Sequence, residues 1–120
     1  MTSPYAFADV VLVPFPFTDP VGLKKRPAVV VSSAAYNGQR RDLVIMAITS
    51  QGRMPLGFGE AMFTDWQAAG LIKPSVLKPV FTTLAQTLVI RAMGTLSISD
   101  QAMLLAVLAT VFSINGIRHD

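Results

Sequence analysis

The sequence predicts a mainly β fold, a small β-barrel or strongly bent sheet with one helix packed on it. Three observations carry that prediction. Short β-branched runs recur along the chain, Gly/Pro turns separate them, and the C-terminal part ends in an apolar stretch with helical spacing. At 120 residues the chain has the size of one domain, 1–120, large enough for a core and too small for two.

The elements follow in order. Val10-Val11-Leu12-Val13 opens a strand over 10–14, and such a continuous run suits burial on both faces. Pro14, Pro16 and Pro20 exclude a helix and confine 14–26 to an irregular loop, with Gly22 able to take positive φ at its tip. The loop ends in Lys24-Lys25-Arg26-Pro27. A second strand covers 28–32, with Pro27 at its start, where a missing N–H costs least. Residues 34–41 are polar and hold Asn37-Gly38, which predicts a turn. A third strand covers 43–49, and the Gly-rich 51–59 stretch predicts a loop. A short fourth strand spans 60–63. Residues 64–70 suit a single helical turn with Thr64 as cap and Gly70 as stop. Strands five and six cover 75–83 and 89–96.

The last element is a helix. Ser97 or Ser99 can cap it, and Ser97 with Asp100 forms a capping pair. Met103, Leu104, Val107, Leu108, Val111 and Phe112 make one apolar stripe, yet Leu105, Ala106 and Ala109 lie opposite. No charge occurs between Asp100 and Arg118. A helix apolar all round is buried on more than one side, and a domain this small rarely encloses one. The sequence therefore predicts a homodimer with this helix at the contact.

Composition narrows the function. Apolar residues make up 52% and charged ones 14%, against about 25% charged in an ordinary soluble domain. The longest apolar run, 102–109, falls well short of the roughly 18 residues of a membrane span. Residues 1–8 lack the basic region and apolar core of a signal peptide. The expectation is a cytoplasmic protein with no membrane partner, whose surplus apolar surface faces another chain. There is no cysteine, and the one histidine, His119, adjoins the C-terminus, where chains fray. Any chemistry then runs without His, Cys or a His-based metal site, and no cofactor is expected. The net charge is +3, and Lys24, Lys25, Arg26, Arg40, Arg41 and Arg53 fall mostly in predicted loops, which suits an anionic partner. The cationic loop end and the Thr49-Ser50 hydroxyls lie at the ends of neighbouring strands. Guanidinium and hydroxyl donors fit a phosphodiester.

A family resemblance follows from longer segments. Residues 9–19, reading Asp9-Val10-Val11-Leu12-Val13-Pro14-Phe15-Pro16-Phe17-Thr18-Asp19, and then Lys25-Arg26-Pro27-Ala28-Val29-Val30-Val31-Ser32, resemble the N-terminal motif of MazF/PemK toxins. Ala47-Ile48-Thr49-Ser50, Ala69-Gly70-Leu71-Ile72-Lys73-Pro74-Ser75-Val76 and Gly94-Thr95-Leu96-Ser97 extend the match over about 8–113. Five segments in the right order are more specific than any single motif. The resemblance implies an SH3-like barrel dimer, metal-independent endoribonuclease activity on single-stranded RNA, and neutralisation by a cognate antitoxin whose extended tail blocks the RNA groove. It also implies that Arg26 and Thr49 are the catalytic residues. The chain departs from many relatives at Leu23-Lys24, where they carry Ser-Glu. Losing that carboxylate bears on proton handling, RNA sequence preference or both.

The implied chemistry suits these side chains. Metal-free cleavage uses the 2′-OH as internal nucleophile and leaves a cyclic phosphate and a 5′-OH. The protein must then orient the strand, stabilise added negative charge and move protons. Arg26 offers a cationic donor fork, and Thr49 a hydroxyl for a non-bridging oxygen. A guanidinium stays cationic at neutral pH and is a poor general base, so either Asp19 or Glu60 helps to move the proton or cleavage rests mainly on electrostatics. Ser50 and Gln51 are candidate RNA contacts, and Lys24 and Lys25 attract phosphate without sequence preference. Phe15 and Phe17 either stack on unpaired bases or plug the barrel mouth; Trp66 reads as packing. Two other readings share the fold. One is a noncatalytic binder of RNA or antitoxin. The other is a gyrase poison acting through the terminal helix, for which 103–112 holds few suitable polar or aromatic residues.

Overall fold

The computed structural model describes residues 3–15 and 24–114. Phe17, Asp19, Gly22 and His119, singled out above, lie outside the described residues. Strands β1 (Asp9–Phe15), β2 (Lys24–Val30), β3 (Asp42–Thr49), β4 (Ala61–Met62), β5 (Val76–Ala85) and β6 (Arg91–Thr95) form one antiparallel sheet in the order β4-β5-β3-β2-β1-β6. The sheet curls into a half-barrel carrying the C-terminal helix α2 (Ile98–Val111). The expected mainly β fold with a terminal helix is the one observed.

Alternation along the central strands divides the core in two. Val10, Val29, Met46, Ile48 and Leu77 face Leu104 and Leu108 of α2. Val11, Val13, Ala28, Val30, Ile45 and Ala47 line the other face. Burial on both faces is why β1 and β2 read as continuous valine runs rather than alternating ones. Trp66 packs partly buried against the first cluster, as expected of a packing residue.

The strands reach further than their prolines suggest. β1 continues to Phe15 and β2 starts at Lys24, with Phe15 opposite Lys24 and Leu12 opposite Pro27. The ladder from β2 to β3 ends at Ala28↔Ala47, so on that side the N–H that Pro27 lacks is not needed. Lys24, Lys25 and Arg26 consequently stand on a strand, not in the loop predicted for 14–26.

The turn expected over 34–41 is instead a helix, α1 (Ala34–Gln39). Ser33 caps it, its Oγ accepting from Tyr36 N at 3.1 Å. Asn37 is buried, takes a bond from Ser32 Oγ and donates through Nδ2 to Tyr5 O at 3.0 Å. Those tertiary bonds outweigh the turn preference of Asn-Gly, which is a local bias only.

Residues 64–70 form the expected turn, closed at Gly70 with φ of +82°. Leu71 N donates to Trp66 O and Gly70 N to Gln67 O, the bond pair of a Schellman stop. Thr64 does not cap it; its N–H donates to Asp100 Oδ1 at 3.0 Å. The predicted Ser97–Asp100 pair forms in one direction only. Ser97 Oγ accepts from Asp100 N at 3.2 Å, while the Asp100 carboxylate turns to Thr64 N and Asp65 N. Among the described residues no helix is long and apolar enough to cross a membrane.

Candidate active site

Strands β2 and β3 bring the two nominated catalytic residues to one groove. The β2–β3 ladder ends at Ala28 opposite Ala47, two residues short of both Arg26 and Thr49. They line a groove of about 310 Å³ whose other walls come from Lys25, Ser50, Gln51, residues 71–73, Ser75, and Arg91 and Met93 of β6. Leu12, Pro27 and Ile48 add an apolar floor.

The local chemistry of each residue is distinct. Arg26 is half-buried, and its Nε is buried without a hydrogen-bond partner among the described residues. Thr49 Oγ1 accepts from Gln51 N at 3.1 Å. That bond fixes the oxygen at the end of β3 while leaving its proton without a partner among the described residues. Ser50 and Gln51 are exposed at the groove's rim.

Of the seven nominated site residues, Arg26, Thr49, Lys25, Ser50 and Gln51 line the groove. Lys24 does not; it stands exposed at the outer start of β2, opposite Phe15. Phe17 is outside the described residues. Glu60, offered as a base, does not line the groove either. Its Oε2 pairs with Lys78 Nζ at 2.7 Å and its Oε1 accepts from Gly57 N at 2.8 Å. The hydrogen bond from Lys78, followed by that from Gly57, holds its carboxyl below the ordinary value.

Lys73 and Arg91 were not singled out from the sequence. Lys73 lies in one of the segments that carry the resemblance, which is the signal that pointed to it. Nothing local marks Arg91, because it enters only through the pairing of β6 with β1. With them, four cations and no carboxylate line the groove among the described residues. Such a surface attracts the phosphates of a single strand and offers charge-assisted donors to them.

Comparison with known proteins follows from this geometry. No curated protein matches the chain. Among solved structures it is similar to an endoribonuclease in complex with its cognate antitoxin from Mycobacterial species, at 15% identity and a TM-score of 0.71, over 92% of this chain and 96% of that one. It is also similar to Mycobacterium tuberculosis toxin MazF-mt6, at 17% identity and a TM-score of 0.70, over 89% and 98%. MazE-MazF (Form-III) from Deinococcus radiodurans gives 23% identity and a TM-score of 0.67, over 93% and 98%. At these identities the likeness establishes the fold. A family model described as PemK-like, MazF-like toxin of type II toxin-antitoxin system matches residues 6–112, from just before β1 to the C-cap of α2. With that match over nearly the whole chain, the protein belongs to the PemK-like, MazF-like family of type II toxins.

Proposed function

We propose that this toxin is a metal-independent, sequence-specific endoribonuclease that cuts single-stranded RNA through the 2′-OH. The observation that carries the reading is that Arg26 and Thr49 line one groove together with Lys25, Lys73 and Arg91, with no carboxylate in its lining among the described residues. Endoribonuclease relatives of the same fold support it.

In the proposed reaction the 2′-oxygen attacks phosphorus, its proton passes to a base, and the bond to the 5′-oxygen breaks. The 5′-oxygen takes up a proton, leaving a 2′,3′-cyclic phosphate and a 5′-OH. Negative charge grows on the non-bridging oxygens as the fifth bond forms. The Arg26 guanidinium donates to that charge, and the Thr49 hydroxyl, held from behind by the Gln51 N–H, donates to a second oxygen. Donors fixed before the reaction stabilise the transition state without reorganising, an effect worth about 10²–10³ in rate per donor. Glu60 does not line the groove and is held by Lys78 and Gly57, so it is not assigned as base. Lys25, Ser50 and Gln51 bind the strand beside the cut, and Lys24 adds long-range attraction.

Two of the similar structures hold a toxin with its antitoxin. We infer that this chain too is neutralised by a cognate antitoxin, and that the pair resides in the cytoplasm. The toxin is read as a homodimer because Leu105 and Ile98 of α2 are 55% and 81% exposed, apolar surface that a second copy would cover.

The test is incubation of the purified protein with long single-stranded RNA in EDTA, followed by mapping of cut sites and end groups. Discrete cuts with cyclic-phosphate ends are expected. Intact RNA over varied sequences, with folded protein, would overturn the nuclease reading in favour of a noncatalytic binder.

A further inference from the structure

The groove wall that faces the strand ends belongs to residues 64–75, which contribute no strand or helix to the fold. Two anchors hold it. At the first, the chain crosses β6 at backbone contact: a Cβ on Gly70 would come to 2.1 Å from Met93 O, and one on Gly94 to 2.6 Å from Ala69 O. The crossing falls where β6 bulges, between the pairs Val10↔Gly94 and Val11↔Ala92. At the second anchor, Asp100 of α2, 1% exposed, accepts from Thr64 N at 3.0 Å and Asp65 N at 2.8 Å. Ser97 Oγ also donates to Asp65 Oδ2 at 2.7 Å.

The segment returns to the sheet at Val76, opposite Thr49. Lys73 stands on the short free stretch between, where Ser75 Oγ donates to its carbonyl at 2.9 Å. It is exposed, lines the groove, and has no ion-pair partner among the described residues. An ammonium so placed meets the phosphate chain as a point charge. Its position depends on how the segment is fixed: the Gly70 crossing and the return at Val76 flank it, and Asp100 holds the start of the segment at Thr64 and Asp65, ahead of the crossing.

We propose that Lys73 binds a phosphate of the single strand next to the scissile one, and that Asp100 is the positioning residue that sets where Lys73 stands. The proposal rests on the RNA-cutting reading above. Asp100 touches no substrate; it acts through the wall.

The test measures affinity for a single strand with 2′-fluoro sugars throughout, which cannot supply the nucleophile, over a range of salt. Wild type, Lys73→Gln, Asp100→Asn and the double variant are compared, with Asp65→Asn as a second way to loosen the same anchor should Asp100→Asn not fold. Lys73→Gln is expected to raise Kd roughly fivefold at low salt and make the salt slope shallower by about 0.7, one phosphate contact on a single strand. On RNA its KM rises while kcat stays within about twofold, as for binding shared by ground and transition states. The anchor variants are expected to shift Kd and slope the same way, with no further loss when combined with Lys73→Gln. Unchanged Kd and slope in Lys73→Gln would overturn the role of Lys73. Losses that add in the double variant would overturn the positioning role, since independent sites add. Wild type that binds the fluoro strand through Lys73 yet leaves RNA uncut would overturn the nuclease reading alone.

Discussion

Arg26 stands on β2 opposite Val13, with Nε buried and unpaired among the described residues. A buried donor without an acceptor costs about 1–3 kcal/mol, a cost that folding alone gives no reason to keep. A phosphate in the groove supplies the acceptor chemistry a guanidinium fork matches. Charge alone does not reproduce that fork, because a lysine ammonium is a point donor. Glu60 shows the opposite case, a carboxylate fully committed to structure. Its lowered pKa means the Lys78 pairing stabilises the fold at pH above the ordinary value of 4.5 and is lost as pH falls through the folded value. Glu60→Gln is expected to lower Tm at neutral pH, with the difference from wild type closing below pH about 4. A Tm gap that persists undiminished at pH 3 would contradict this account of Glu60.

At the scale of elements, α2 separates two kinds of leucine that its sequence presents alike. Leu104 is 0% exposed beneath the helix and Leu105 is 55% exposed beside it. Leu104→Ala should cost about 2–5 kcal/mol of stability, measured by urea unfolding. Leu105→Glu should leave unfolding within about 0.5 kcal/mol and convert the dimer to monomer in sedimentation. A Leu105→Glu protein that stays dimeric would remove that face from the contact. The helix itself was legible from its spacing and from Ser97. What α2 does to its neighbours was not, because Asp100 reaches Thr64 and Asp65 across 35 or more residues. Helix α1 was missed for a related reason: the bond of Asn37 to Tyr5 spans 32 residues, while the turn preference of Asn37-Gly38 argued locally against the helix that Ser33 caps.

Over the whole molecule, the half-barrel was legible because burial on both sheet faces writes itself into the valine runs of β1 and β2. Part of the candidate groove was legible too. Arg26 and Thr49 stand near the ends of β2 and β3, which pair antiparallel and in sequence, so their sharing of one groove follows from local reading plus the resemblance. Another part, Lys73 and Arg91, depends on β6 closing onto β1 and on a glycine crossing between Gly70 and Gly94, contacts that no short stretch of chain reveals. The result is a groove with four cations and, among the described residues, no carboxylate in its lining. In the proposed reaction Arg26 and Thr49 stabilise one and the same phosphate during cleavage. The most direct measurement is single-turnover cutting of RNA by Arg26→Ala, Thr49→Ala and the double variant, with each fold checked by circular dichroism. The account predicts that each single change slows cleavage about 10²-fold or more, and that the double change falls well short of the product of the two. Wild-type rate in folded Arg26→Ala, or losses that multiply in full, would contradict it.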